Sequence, residues 1–138
     1  MLDMEFELAA ESLVQSRTAF ISGHLDLTYA EFMTHYIRDI WRALVRGDSF
    51  IVGDAGGCDK LAQEELSKYV NGVMVYHMFD APRNNTGNFP TVGGFESDSE
   101  RDAAMIAASD YDIAWVRPGR EKSGTAKNLK RRIQHEAK

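Results

Sequence analysis

The sequence has very little cysteine: Cys58 stands alone among 138 residues, so no disulfide can form within the chain. A lone cysteine fits a reducing compartment and leaves stability to the apolar core. At this position Cys58 reads as a small residue packed at a helix start, with a catalytic thiol as the alternative. The chain also lacks any apolar run near the ~20 residues of a membrane span. Its start, from Met1 to Leu8, is acidic and has neither the basic opening nor the apolar run of a secretory leader. A cytoplasmic protein is therefore expected. Basic charge is in deficit, with 16 Lys and Arg against 21 Asp and Glu, a net charge of −5. That argues against a nucleic-acid footprint spread over the surface. The basic stretch Lys127 to Arg132 reads as a solvated helix face. His and Cys residues show no metal-ligand spacing, so neither a metal nor another cofactor is expected.

What the chain does have is apolar material. Hydrophobic residues make up 43%, with seven Phe, five Tyr and two Trp. That suffices for the core of one domain, and the length leaves no room for two. Residues 17–138 read as that domain and residues 1–16 as an extension. Phe6, Leu8, Ala9 and Leu13 give the extension moderate helical periodicity, and it could serve a partner or an oligomer. Short apolar runs at 17–22, 49–52, 73–76 and 112–116 read as buried strands. Thr28 with Glu31 forms a capping box opening a helix that ends at Gly47. Further helices are expected from Lys60 to about Tyr69, from the Ser97/Glu100 cap through Ala108, and after Ser123 or Thr125. Residues 78–96 hold two of the three prolines, three asparagines and three glycines, and read as a long loop. Alternating strands and helices predict a Rossmann-like three-layer α/β/α sandwich around a mainly parallel sheet of four or five strands.

In such sheets ligands bind beyond the carboxyl ends of the strands. Four segments converge there: Ser22-Gly23-His24, the loop Gly53 to Asp59, residues 78–96 with the helix start that follows, and Pro118 to Thr125. The loop Gly53-Asp54-Ala55-Gly56-Gly57-Cys58-Asp59 permits close backbone approach and leads into a helix whose first N–H groups are free for an anion. Its spacing matches neither a dinucleotide fingerprint nor a Walker loop. A second loop, Pro118 to Asn128, carries the pair Gly124-Thr125 after Ser123, again at a helix start. Arg101 is a candidate for bidentate anion contact, Arg83 a weaker one. Asp59 suits a ribose hydroxyl or simply the helix N-terminus. His24 sits where a ligand-facing residue sits, whereas His35 and His77 read as structural.

Together these pieces resemble the SLOG superfamily, the Rossmann-like group that includes the lonely-guy phosphoribohydrolases, the lysine-decarboxylase-like proteins and the DNA-processing protein family. The resemblance is carried by Ile21 to His24, Gly53 to Ala62, Glu100 to Met105, Asp112 to Val116 and Ser123 to Thr125, and spans about residues 18–132. A weaker similarity is to nucleoside deoxyribosyltransferases and nucleotide N-glycosidases. The resemblance implies a nucleotide-like ligand and a homodimer or larger homo-oligomer, with the Trp41 helix apolar enough for the interface. It implies a cradle of Ser22, Gly23, Gly53, Gly56, Gly57, Ser123, Gly124 and Thr125, a ribose contact from Asp59, and Arg101 on the phosphate, as the phosphoribohydrolases use their arginine. His24, Asp54 and Asn128 belong to the same candidate site. The sequence departs from the enzymes at Asn128, where they carry a glutamate acting on the anomeric carbon. An amide is neither a carboxylate nucleophile nor a base. Asp54, Asp59 or Glu121 are the substitutes in reach. The expectation is thus a binding site, a sensor or sequestering domain, with N-glycosidase action on a nucleoside monophosphate and a ligand-free structural oligomer as alternatives.

Overall fold

The computed structural model describes residues 16–69 and 72–137; the N-terminal extension and its expected helix lie outside the described residues. Five strands run parallel: β1 (Thr18–Ser22), β2 (Ser49–Gly53), β3 (Val73–Met78), β4 (Thr91–Phe95) and β5 (Tyr111–Ala114). Their order is β4-β3-β2-β1-β5. The chain builds outward from β1 to β4, then returns to lay β5 on the other side of β1. The sheet therefore reverses its winding between β1 and β5, the place where such sheets open a crevice.

Each strand alternates its side chains between two apolar layers. Ala19, Ile21, Phe50, Val52, Val73, Val75 and Ile113 point to one core. Helices α1 (Tyr29–His35), α2 (Ile37–Arg46) and α3 (Cys58–Leu66) close it with Phe32, Tyr36, Ile40, Ala43, Ala62 and Leu66. Phe20 and Ile51 point the other way and meet Met105 and Ile106 of α4 (Asp98–Ala107). The last helix, α5 (Gly124–Glu136), packs beside α4 and against β5. The architecture is the Rossmann-like three-layer sandwich expected from the sequence. Among the described residues, no helix is long and apolar enough to cross a membrane.

Two elements differ from the sequence reading. The helix expected from Thr28 to Gly47 is broken at Tyr36, whose backbone leaves the helical region at φ −122°, ψ −40°. The break turns the ring inward, where its hydroxyl donates to the Ser22 carbonyl at 2.8 Å and accepts from the Trp115 N–H at 3.0 Å. One side chain thus ties the carboxyl ends of β1 and β5. The long 78–96 loop contains a strand, β4, at the sheet edge. Its Thr-Val-Gly-Gly-Phe sequence is mostly exposed and carries two glycines, which removes the apolar alternation that marks a strand.

Candidate functional site

A cleft of about 340 Å³ opens beyond the carboxyl ends of β1 and β2, walled on the far side by the starts of α4 and α5. That is a size suited to a small ligand. Its floor begins at Ser22-Gly23. Gly23 is required there, because a Cβ would lie 2.5 Å from the Tyr36 hydroxyl and 2.6 Å from Cys58. The Ser22 hydroxyl is buried and has no hydrogen-bond partner among the described residues. A buried hydroxyl left without a partner costs free energy of about 1–3 kcal/mol.

His24 follows, nearly buried in the cleft wall. Its Nε2 accepts the Arg117 N–H at 2.8 Å, so the ring proton belongs on Nδ1 and the imidazole is neutral. Burial, then the charges of Arg120 and Arg117, lower its basicity further. The Arg117 guanidinium meets Glu31 at 2.7 Å and Asp26 at 3.1 Å, clamping the start of α1 to the chain after β5. Hydrogen bonds from Arg117 and from the Thr28 backbone bring the Glu31 carboxyl down to about 2.

The opposite wall is a network of carboxylates and guanidinium groups. Asp54, 1% exposed, accepts the Arg83 backbone N–H at 2.8 Å, Arg83 Nη2 at 2.9 Å and Arg101 Nη1 at 3.1 Å. Burial opposes its ionisation, but the bonds from Arg83 prevail and hold the carboxyl below its usual range. Arg101 then reaches Asp102 at 3.1 Å and Asp98 at 3.3 Å through Nη2. Its guanidinium is enclosed by Asp54, Asp98 and Asp102, which leaves it little capacity for a ligand anion. Asp102, whose carboxyl is raised by burial, lies beside the Asn128 amide.

Asp59 differs from these neighbours. It is buried and lines the cleft, yet it has no ion-pair partner among the described residues. Its Oδ2 accepts one bond, from the Ala55 N–H at 3.1 Å. Gly53 makes the placement possible, since a Cβ there would lie 2.5 Å from that oxygen. Burial pushes the Asp59 carboxyl up to about 7.

The third wall is the start of α5. Ser123 caps the helix by accepting the Ala126 N–H at 3.2 Å. Gly124 and Thr125 face the cleft, and Arg120 stands at its rim. The first turns of α1 to α4 each carry an acidic residue, whereas that of α5 carries none. Its positive dipole end therefore meets the cleft without an internal counter-charge.

Of the residues expected from the sequence, the cleft wall brings together Ser22, Gly23, His24, Gly53, Asp59, Arg101, Ser123, Gly124, Thr125 and Asn128, with Arg83. It does not bring in Gly56, Gly57 or Asp54. Gly57, at φ +61°, is pressed against the backbone of His24 and Leu25, while Gly56 faces open space. Asp54 sits behind Arg101 as its buried counter-charge. Of the strand–glycine–helix segment, Gly53, Ala55 and Asp59 line the cleft. Sequence reasoning missed Asp98, Arg120 and the lining role of Asp102. The signal for the acidic pair was their placement at −3 and +1 around Arg101, which resembles ordinary first-turn helix charge. It also missed Gln63, fully buried, whose amide nitrogen donates to the carbonyls of Gly53 and Asn84 at 2.9 and 3.1 Å. Gln63 Oε1 accepts the Thr86 N–H at 3.0 Å, so residues 83–86 are held to α3.

No protein-family model, no curated protein and no solved structure matches the chain.

Proposed function

We propose that the cleft binds a nucleotide or nucleotide-derived anion, as the site of a cytoplasmic sensing or sequestering domain. The observation that carries this reading is the Ser22 hydroxyl, buried at the switch point of the sheet without a partner among the described residues. A polar group so placed is satisfied by a ligand oxygen or nitrogen. In this reading the phosphate meets Ser123, Gly124 and Thr125 at the start of α5, with Arg120 at the rim. The sugar lies toward Ser22 and Asp59. Arg101 acts by holding the acidic wall in place rather than by gripping the phosphate, because carboxylates already surround it. The SLOG resemblance supports the same ligand class, and with it a homo-oligomer that light scattering can measure.

One observation favours turnover as a second reading. Asp102 places a buried carboxyl beside Asn128, the position where the resembling enzymes carry their glutamate. A carboxyl raised by burial is suited to accept a proton from water.

The test uses a panel of nucleoside monophosphates, following thermal stability and base release together. Binding raises the melting temperature, and Ser22→Ala weakens affinity about tenfold, the value of one hydrogen bond to a charged or strongly polar group. Unchanged affinity in Ser22→Ala removes the observation on which the reading stands. Base release that vanishes in Asp102→Asn establishes the second reading, and its absence with every monophosphate eliminates it.

A further inference from the structure

We infer that the cleft takes up its anion together with one proton, carried on Asp59. This rests on the anion-binding reading above and concerns how the acidic wall tolerates such a ligand.

The geometry sets the problem. Asp59 faces Asp54 across the loop after β2, Asp98, Arg101 and Asp102 from α4, and Arg83 from the β3–β4 connection. Cys58 and Tyr36 lie behind it, both with their protonated forms favoured by burial. His24, neutral, and Arg120 stand across the cleft. The guanidinium groups on the acidic wall are already engaged: Arg83 with Asp54, Arg101 with Asp54, Asp98 and Asp102, and Arg131 of α5 with Asp102 at 3.6 Å. Three carboxylates against three guanidinium groups leave this wall neutral while Asp59 is neutral and at −1 once it ionises. An anion entering the cleft adds to that negative charge in a site of low dielectric.

Asp59 can relieve the repulsion, because among the described residues only the Ala55 N–H binds its carboxyl oxygens. Protonated, it loses its charge and offers an O–H to a ligand oxygen. Ionised, it presents lone pairs to an anion across a closed space. The partnerless Ser22 hydroxyl in the same cleft shows a second group awaiting a ligand oxygen. The intrinsic tendency of the carboxyl agrees, since burial already raises it to about 7. A bound anion raises it further, so binding takes up a proton. Affinity is then greatest below about 7 and falls as the pH rises beyond it.

The experiment titrates AMP into the full chain by calorimetry between about pH 5.5 and 8.5. The phosphate has its own ionisation near pH 6, so wild type is compared with Asp59→Asn, a permanently neutral isostere. The expected result is a dissociation constant that rises, relative to the variant, by up to about tenfold per pH unit above neutrality. A second measurement needs no variant. Repeating the wild-type titration in buffers of different ionisation enthalpy reads protons directly, and uptake beyond that of AMP itself is expected. Parallel pH profiles in wild type and Asp59→Asn overturn the proposal, as does proton release on binding. Failure of AMP to bind even at pH 5.5, where Asp59 is protonated, overturns the nucleotide reading itself. Binding without proton uptake overturns the linkage alone.

Discussion

At the scale of single residues, the cleft is organised by Asp54, a carboxylate that touches no ligand. Arg83 and Arg101 both converge on it, and one of them also donates its backbone N–H. Removing such a charge takes one carboxylate from the buried Arg101 and the ion pair from Arg83, a loss toward the lower end of the about 3–5 kcal/mol of a broken buried pair, since Asp98 and Asp102 remain on Arg101. Asp54→Asn is therefore expected to lower stability by about 3 kcal/mol in urea unfolding. Arg83→Ala should lower it by about 1 kcal/mol or less, because the Arg83 side chain is half exposed and its pairing is screened. Similar losses in the two variants would show that Asp54 is no hub. The same reasoning makes Arg101→Ala a poor probe of ligand contact, since the substitution removes a partner from Asp54, Asp98 and Asp102 together. Ser22→Ala is the cleaner test. It removes a hydroxyl with no partner among the described residues, so stability should stay within about 0.5 kcal/mol or rise.

At the scale of elements, the bend at Tyr36 matters more than either helix it separates. The hydroxyl binds one carbonyl of β1 and one N–H beyond β5, which fixes the two strand ends between which the sheet reverses. Tyr36→Phe keeps the ring and removes both bonds, leaving the Trp115 N–H and the Ser22 carbonyl short of partners. A loss of about 1–3 kcal/mol follows, with helix content by circular dichroism unchanged. A loss below 0.5 kcal/mol would mean that water replaces the hydroxyl at no cost. The spacing of Phe32, Tyr36, Ile40 and Leu44 runs straight through this bend. Periodicity reports which face is buried, not whether the helix axis continues, and so the break was illegible while the Thr28/Glu31 capping box was plain. β4 was illegible for a related reason: an exposed edge strand with two glycines has no apolar alternation to read. The other four strands, inner β1, β2 and β3 and the edge strand β5, were legible because each carries a short apolar run.

At the scale of the whole molecule, the location of the site was legible and its electrostatics were not. Parallel order and short polar strand ends point to one edge of the sheet from sequence alone. The neutralisation of Arg101 depends on Asp54, 47 positions away, and no local pattern encodes that pairing. The same long-range crowding shapes how stability depends on pH. The exposed Asp26, the half-buried Glu31 and the buried Asp48 and Asp54 are all held below the usual carboxylate range, against the cost of desolvation, by hydrogen bonds from arginine, tyrosine or backbone N–H groups. Their contributions are present above that range and fade as the pH falls toward about 2, the value reached by Glu31. Asp59, Asp102 and Asp112 are shifted upward by burial and act in the opposite sense. For Asp59 the folded protein keeps its proton up to about 7, while the unfolded chain releases it near the ordinary value of 3.8. The folded state binds more protons in that interval, so stability is full below 3.8 and declines as the pH rises through 7. The slope from this group is roughly 1.4 kcal/mol per pH unit at most, the energy of one proton. Urea unfolding at several values between about pH 5 and 8 should show this decline in wild type and a flatter profile in Asp59→Asn, with the variant the more stable at the alkaline end. A flat wild-type profile over that range would mean that Asp59 is ionised in the folded protein, and the cleft would then meet its anion with no proton to give.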